Sequence, residues 1–116
     1  MQKISVVIIT KNEEKHIKNA IQSALFADEI LVLDSGSIDK TCDIAKKLGA
    51  RVEHQEWLGF GCQKNKAVEL ASNDWVFVLD ADEEITEKLR YEIIETLQSP
   101  ISNGFYVARL NNFFGR

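Results

Sequence analysis

The segment Ile4-Ser5-Val6-Val7-Ile8-Ile9 is short, β-branched and nearly continuously apolar, the pattern of a strand covered on both faces in a parallel sheet, and it ends at Thr10. Beyond it the period becomes helical. Ile17, Ala20, Ile21, Ala24 and Leu25 recur on one face, with Asn12 placed to cap that helix and Glu13 and Glu14 in the first turn, where the helix dipole favours acids. Ile30 to Leu33 predicts a second buried strand, broken at Asp34-Ser35-Gly36-Ser37. Asp39 then caps a helix that carries Thr41, Ile44, Ala45 and Leu48 on one face and stops at Gly49. Arg51 to His54 reads as a short third strand, Trp57-Leu58-Gly59-Phe60-Gly61 as a loop, and Cys62 to Ala71 as a helix ended by Ser72-Asn73. Trp75 to Leu79 is the fourth strand. Thr86 caps a helix with Leu89, Ile93 and Leu97 on one side, closed by Ser99-Pro100, and Phe105 to Leu110 predicts a fifth strand.

Strands alternating with helices across short loops predict an α/β fold: a Rossmann-like, mostly parallel sheet with right-handed crossovers and helices on both faces, in three α/β/α layers. In such sheets ligands bind beyond the carboxyl ends of the strands. The residues there are Thr10 to Glu14, Asp34 to Asp39 and Asp80 to Glu84, three strongly polar segments expected to converge.

Composition narrows the partners. The 116 residues, 45% hydrophobic and 28% charged, suit one soluble domain. A net charge of −4 without a Lys/Arg run argues against nucleic-acid binding, which relies on clustered cations. Cys42 and Cys62 lack CxxC spacing and are expected to be plain reduced thiols. Met1 leads directly into the first strand with no leader-like segment, and no window approaches the ~18 apolar residues of a membrane span, so a cytoplasmic domain is expected.

Asp80 and Asp82 follow a buried strand, and in an extended segment residues i and i+2 face the same way, so both carboxylates can meet one ligand. Two hard oxygen donors suit Mg²⁺ or Mn²⁺, ions that keep several waters and take further ligands from substrate phosphates. The competing reading is a solvated acidic turn of Asp80, Asp82, Glu83 and Glu84 ahead of the next helix. Asp34 can accept from a base N–H or a ribose hydroxyl, or can simply hold a helix-capping turn. Lys64 and Asn65, placed at the start of the third helix, can approach a diphosphate beside free terminal amides, or can be solvated surface residues with Lys66. His16 and His54 carry no partner pattern and read as structural or exposed; Trp57 and Phe60 either line a pocket or cover the sheet edge.

Five spaced motifs occur in order: Ser5 to Glu14, Leu33 to Thr41, Trp57-Leu58-Gly59-Phe60-Gly61, Gln63-Lys64-Asn65 and Leu79-Asp80-Ala81-Asp82-Glu83. Together they closely resemble the family-2 glycosyltransferases of GT-A fold, and within that family the bacterial branch of lipopolysaccharide-core β-glucosyltransferases. The resemblance spans nearly the whole chain. It implies a metal-assisted, inverting transfer from a nucleotide-diphospho-sugar, a UDP-sugar foremost, to a glycan or lipid-linked acceptor, by a protein peripheral to the cytoplasmic face of the inner membrane. It places Thr10, Asn12 and Glu14 beside the nucleotide, Asp34 near the base and ribose, Lys64 near the diphosphate, Asp80 at the ribose or sugar, and Asp82 on the metal, Mg²⁺ or Mn²⁺.

The chain departs from the family pattern at Ser35, where many members have a second acid, and at Lys11, where many have an aromatic. Residues 1–116 are expected to be the nucleotide-sugar-binding domain, with the acceptor region and the general base beyond Arg116 and donor binding without appreciable transfer in this piece alone. Three other readings compete. A nucleotidyltransferase usually grips triphosphate with a glycine-rich basic loop, which Thr10-Lys11-Asn12-Glu13-Glu14 is not. A dehalogenase-type phosphatase needs Thr or Val where Glu84 stands. A non-catalytic binding or assembly module of the same fold remains the reading from a different class.

Overall fold

In the computed structural model, residues 2–98 and the strand at 113–115 are described. The elements run β1 (Ile4–Thr10), α1 (Ile17–Ser23), β2 (Glu29–Asp34), α2 (Thr41–Lys47), β3 (Arg51–His54), α3 (Phe60–Leu70), β4 (Trp75–Asp80), α4 (Glu87–Gln98) and β5 (Phe113–Gly115). They form one five-stranded sheet in the order β3-β2-β1-β4-β5. The first four strands are mutually parallel and β5 lies antiparallel to β4. The predicted strand at Phe105 to Leu110 and the closure at Ser99-Pro100 lie outside the described residues.

The apolar runs bury both faces of the sheet because their alternate side chains meet different helices. Ile4, Val6, Ile8, Val32, Phe77 and Leu79 share a core with Ile17, Ala20 and Ile21 of α1, Ala45 of α2, and Ile93 and Leu97 of α4. Val7, Leu31, Leu33, Val76 and Val78 face the other way, onto Ala67 of α3 and Ala71 just beyond it. This is the expected three-layer arrangement: among the described residues α1, α2 and α4 pack on one face and α3 on the other.

Two predicted helix starts are corrected. α1 begins at Ile17 and His16 makes no capping bond, because Asn12 is in the left-handed region (φ 54°) and its Oδ1 accepts the Ile38 N–H at 2.8 Å, far along the chain. Leu25 falls beyond the end of α1 and is 58% exposed. α3 begins at Phe60 rather than Cys62: Gly59, at φ 95°, turns the chain in a way a side-chain-bearing residue resists, and its carbonyl accepts the Gln63 N–H. The Thr86 cap forms as read, whereas at α2 the N-cap position is Lys40, one residue past Asp39, and carries no side-chain capping bond of its own. Asp39 Oδ1 accepts the Thr41 N–H and hydroxyl, and Thr86 Oγ1 accepts the Leu89 N–H at 3.1 Å.

The amino ends of the strands are tied by one polar cluster. Glu29 accepts from the Ser5 hydroxyl, the Ser72 N–H and hydroxyl, and Arg51 Nη1, at 2.7 to 2.9 Å. Arg51 Nη2 donates to the Leu70 carbonyl at 2.6 Å, and Asn73 Nδ2 to Ser5 Oγ at 3.0 Å. The starts of β1, β2, β3 and β4 are thereby joined.

Candidate functional site at the carboxyl ends of the strands

The chain builds β1, β2 and β3 in one direction across the sheet, then returns to place β4 on the other flank of β1. That reversal between β1 and β4 opens a crevice beyond their carboxyl ends, the general ligand position of open α/β sheets. Register puts Thr10 beside Asp34 and Ile9 beside Asp80, so the three polar segments converge as expected. Above them lies an open cavity of about 530 Å³. Ile9, Thr10, Lys11 and Glu13 supply its floor and one wall, Ser35 comes from the end of β2, Trp57 and Phe60 from the β3–α3 connection, and Asp80, Ala81 and Asp82 from the end of β4.

Thr10 is 3% exposed, and its Oγ1 has no hydrogen-bond partner among the described residues. Leaving a buried hydroxyl unpaired costs about 1–3 kcal/mol, and such a group at a cavity wall is suited to a ligand. The Asp80 N–H donates to Glu83 Oε1 and the Glu83 N–H to the Asp80 carbonyl, each at 2.9 Å, which closes a turn directly after β4. This corrects the extended i, i+2 picture: the strand stops at Asp80, and it is the turn that brings Asp82 to the same cavity. Glu83 holds the turn, while the carboxylates of Asp80 and Asp82 have no hydrogen-bond or ion-pair partner among the described residues.

Asp34 behaves differently. It is 4% exposed, and it accepts from the Gly36 and Ser37 N–H groups and the Ser37 hydroxyl. Burial pushes its carboxyl up, but the Ser37 hydroxyl and amide and the Gly36 amide outweigh burial and hold it below the usual aspartate value. Gly36, at φ 118°, lets the backbone fold both amides onto one oxygen. Cys42 packs beside this carboxylate, and burial followed by the Asp34 charge raises its thiol; Cys42 and Cys62 are both free.

Asn12 and Glu14 do not line the cavity; they join the first loop to the second. The Asn12 N–H donates to Ser37 Oγ at 2.7 Å and the Glu14 N–H to Asp39 Oδ2 at 3.2 Å. Lys64 is half-buried in α3, one turn past its start at Phe60, and is not among the lining residues. The prediction that Lys64 and Asn65 open that helix is therefore corrected, since the free terminal amides belong to the preceding turn. His16 lies 3.1 Å from Glu13 Oε1 at the surface and His54 is exposed, as expected of residues without a site.

Lys11, Glu13 and Ser35 fall within the strand-end segments expected to converge and do line the cavity, although none of them was singled out as an individual site residue. Their signal was position: they directly follow the strand ends. Among the described residues no three His, Cys, Asp or Glu side chains cluster as a metal cage. Two unpaired carboxylates on an open cavity instead fit a hard cation that completes its shell with water and a ligand's oxygens.

A buried, unpaired hydroxyl and two free carboxylates at the switch point of the sheet mark an α/β domain with an open polar cavity beyond its strand ends. The family follows from comparison. The chain matches the Glycosyl transferase family 2 model over residues 5–115 and belongs to that family. An uncharacterized glycosyltransferase of Rickettsia typhi is 50% identical over 94 residues, covering 80% of this chain and 32% of that protein. The lipopolysaccharide core biosynthesis glycosyltransferase LpsC of Rhizobium meliloti is 34% identical over 99 residues, covering 81% of this chain and 37% of its own. Glucosyl-3-phosphoglycerate synthase of Mycobacterium tuberculosis, solved with Mn²⁺, uridine diphosphate and phosphoglyceric acid, superposes with a TM-score of 0.70 at 30% identity, covering 85% of this chain and 40% of that one. The fold is accordingly that of the GT-A glycosyltransferases. This chain spans about a third of the length of the curated relatives it matches.

Proposed function

We propose that this domain binds a nucleoside-diphospho-sugar, in the first place a UDP-sugar, in the crevice between β1 and β4, and presents it for inverting transfer to a glycan or lipid-linked acceptor. One observation carries the reading: a buried hydroxyl without a partner, Thr10, and two unpaired carboxylates, Asp80 and Asp82, line the same cavity at the topological switch point. Uridine diphosphate and Mn²⁺ in the crystal structure of a neighbour of the same fold support the choice of ligand. The likeness to a lipopolysaccharide core glycosyltransferase supports a lipopolysaccharide-core acceptor at the inner face of the membrane. Among the described residues no helix is long and apolar enough to cross a membrane, so such an association would be peripheral for this portion.

Each residue has a distinct part. Thr10 meets the nucleoside, Asp80 the ribose or sugar, and Asp82 the cation, Mg²⁺ or Mn²⁺. Asp34, Asn12 and Glu14 act at one remove by shaping the two loops, and Asp34 has its remaining acceptor capacity for the base or ribose. Lys64 serves the diphosphate from α3 by charge attraction. A bound divalent cation would offset the charge that develops on the departing diphosphate. Inversion also needs a base to take the acceptor hydroxyl's proton, and we assign that role to no residue of this chain; donor binding without appreciable transfer is the expected behaviour of residues 1–116.

Titration calorimetry with UDP-glucose tests the reading. Binding should require Mn²⁺ or Mg²⁺ and be lost in chelator and in Asp82→Ala. Equal affinity with chelator would remove the metal role, and absence of binding by UDP, UDP-glucose and other nucleotide sugars would leave the non-catalytic assembly module as the better reading.

A further inference from the structure

Trp57 and Phe60 are large aromatics that the fold leaves out of its core: they are 49% and 73% exposed, yet both line the cavity. Their rings pack perpendicular to each other with centroids 4.9 Å apart, so each limits the other's motion. The loop beneath them is fixed by Gln63. This side chain is fully buried, accepts the Leu58 N–H at 3.1 Å and donates to the Gln55 carbonyl at 3.2 Å. A buried glutamine spent on holding an exposed aromatic pair makes a preorganised apolar wall, in a cavity whose other lining is largely polar.

Strand order says which part of a ligand that wall meets. Asp80 and Asp82 stand at the end of β4, Thr10 at β1 and Ser35 after β2, while Trp57 follows β3, whose pairing continues through the Gln55 N–H to the Asp34 carbonyl at 2.9 Å. Neighbouring strands lie ~4.8 Å apart, so the line from β4 to β3 spans roughly 14 Å. That is long enough for a nucleoside diphosphate laid across the strand ends with its phosphates toward Asp82. The base then falls at the β2–β3 side, where the first loop offers Lys11 and Glu13 and no aromatic face. From this placement we infer that Trp57, braced by Phe60, is the surface against which the nucleobase of the donor stacks, and that it sets the preference for a nucleotide over a bare diphosphate. The inference rests on the donor-binding reading above.

The experiment compares UDP, UDP-glucose and Mn²⁺-pyrophosphate on the wild-type chain, Trp57→Ala and Trp57→Phe, with thermal unfolding as a check on folding. Base stacking is worth a factor of roughly 5 to 150 in affinity. Trp57→Ala should therefore weaken UDP about tenfold or more and leave Mn²⁺-pyrophosphate unchanged, while Trp57→Phe keeps most of the affinity. Trp75 is fully buried, so UDP should quench the emission of exposed Trp57 in the wild-type chain and not the remaining emission of Trp57→Phe. Unchanged UDP affinity in Trp57→Ala would overturn the stacking role while leaving donor binding intact. A loss confined to UDP-glucose would overturn it in favour of a contact with the sugar, and an equal loss for pyrophosphate would overturn it in favour of a structural role. Failure of the wild-type chain to bind UDP at all would remove both readings together.

Discussion

The two ends of the sheet are both rich in polar side chains, but they spend them in opposite ways. At the amino end Glu29 takes four hydrogen bonds from Ser5, Ser72 and Arg51. At the carboxyl end the Thr10 hydroxyl and the carboxylates of Asp80 and Asp82 lack protein partners among the described residues. Acidic residues of one chemical class thus serve cohesion in one place and stand open on a cavity in the other. The difference lies in whether the surrounding donors have already been supplied by the fold. Asp34 stands between the extremes, because it sits at the carboxyl end and yet builds its own turn.

Removing cohesion should have the largest effect on stability. Glu29→Ala strips four donors of one acceptor, so we expect a loss of about 2–3 kcal/mol in urea unfolding, with UDP affinity unchanged for the folded fraction. Loss of UDP binding in folded protein would erase the contrast between the two ends. Asp34→Asn should cost less, about 1–2 kcal/mol, because the amide oxygen can still accept from the Gly36 and Ser37 N–H groups that share one oxygen, and it should also weaken UDP by loosening the second loop.

Acid sharpens the same contrast. For Glu29, burial raises the carboxyl, and the Ser72 amide, the Ser5 and Ser72 hydroxyls and the Arg51 charge more than reverse this; Asp34 is likewise lowered. A lowered folded-state value means that the stability contributed is fully present above the unfolded carboxyl values, near pH 4, and is lost as pH falls through the lower folded values. Unfolding free energy should therefore decline below about pH 4, and Glu29→Gln should flatten that decline. A limb that is unchanged in Glu29→Gln would show that the cluster is not what holds this carboxyl charged.

Most of the fold was legible because buried parallel strands are written as continuous apolar runs, and β1, β2 and β4 are found where those runs lie, whereas β3 at the sheet edge carries Val52 as its one apolar residue. The strand ends were legible as a group for the same reason. What escaped depends on contacts distant in sequence. Asn12 reads as a cap until its partner, the Ile38 N–H, is known to lie in the second loop, and its backbone is left-handed where Lys11 and Glu13 on either side line the cavity. Alternation also misstates Asp82, since the chain is no longer extended there. Nor does a threonine in a strand announce that its hydroxyl is buried without a partner, or a glutamine in a helix that it is fully buried beneath two aromatics.

The carboxyl end yields the two smaller stability effects, one a gain and the other close to zero. Thr10→Val removes a buried hydroxyl that has no protein partner and keeps the side chain's shape, so the ligand-free domain should gain up to about 1 kcal/mol while losing UDP affinity. A loss of stability would mean that the hydroxyl is satisfied within the protein. Asp82→Ala should be the quietest of all in unfolding, within about ±0.5 kcal/mol, because Asp82 is exposed and bonds to no described residue. Its effect should appear only when ligand is present: Mn²⁺ and UDP together should raise the unfolding midpoint of the wild-type domain by mass action and leave Asp82→Ala where it was. If UDP with Mn²⁺ raises both midpoints equally, the cation is held elsewhere, and the contrast between the two ends would rest on Thr10 alone.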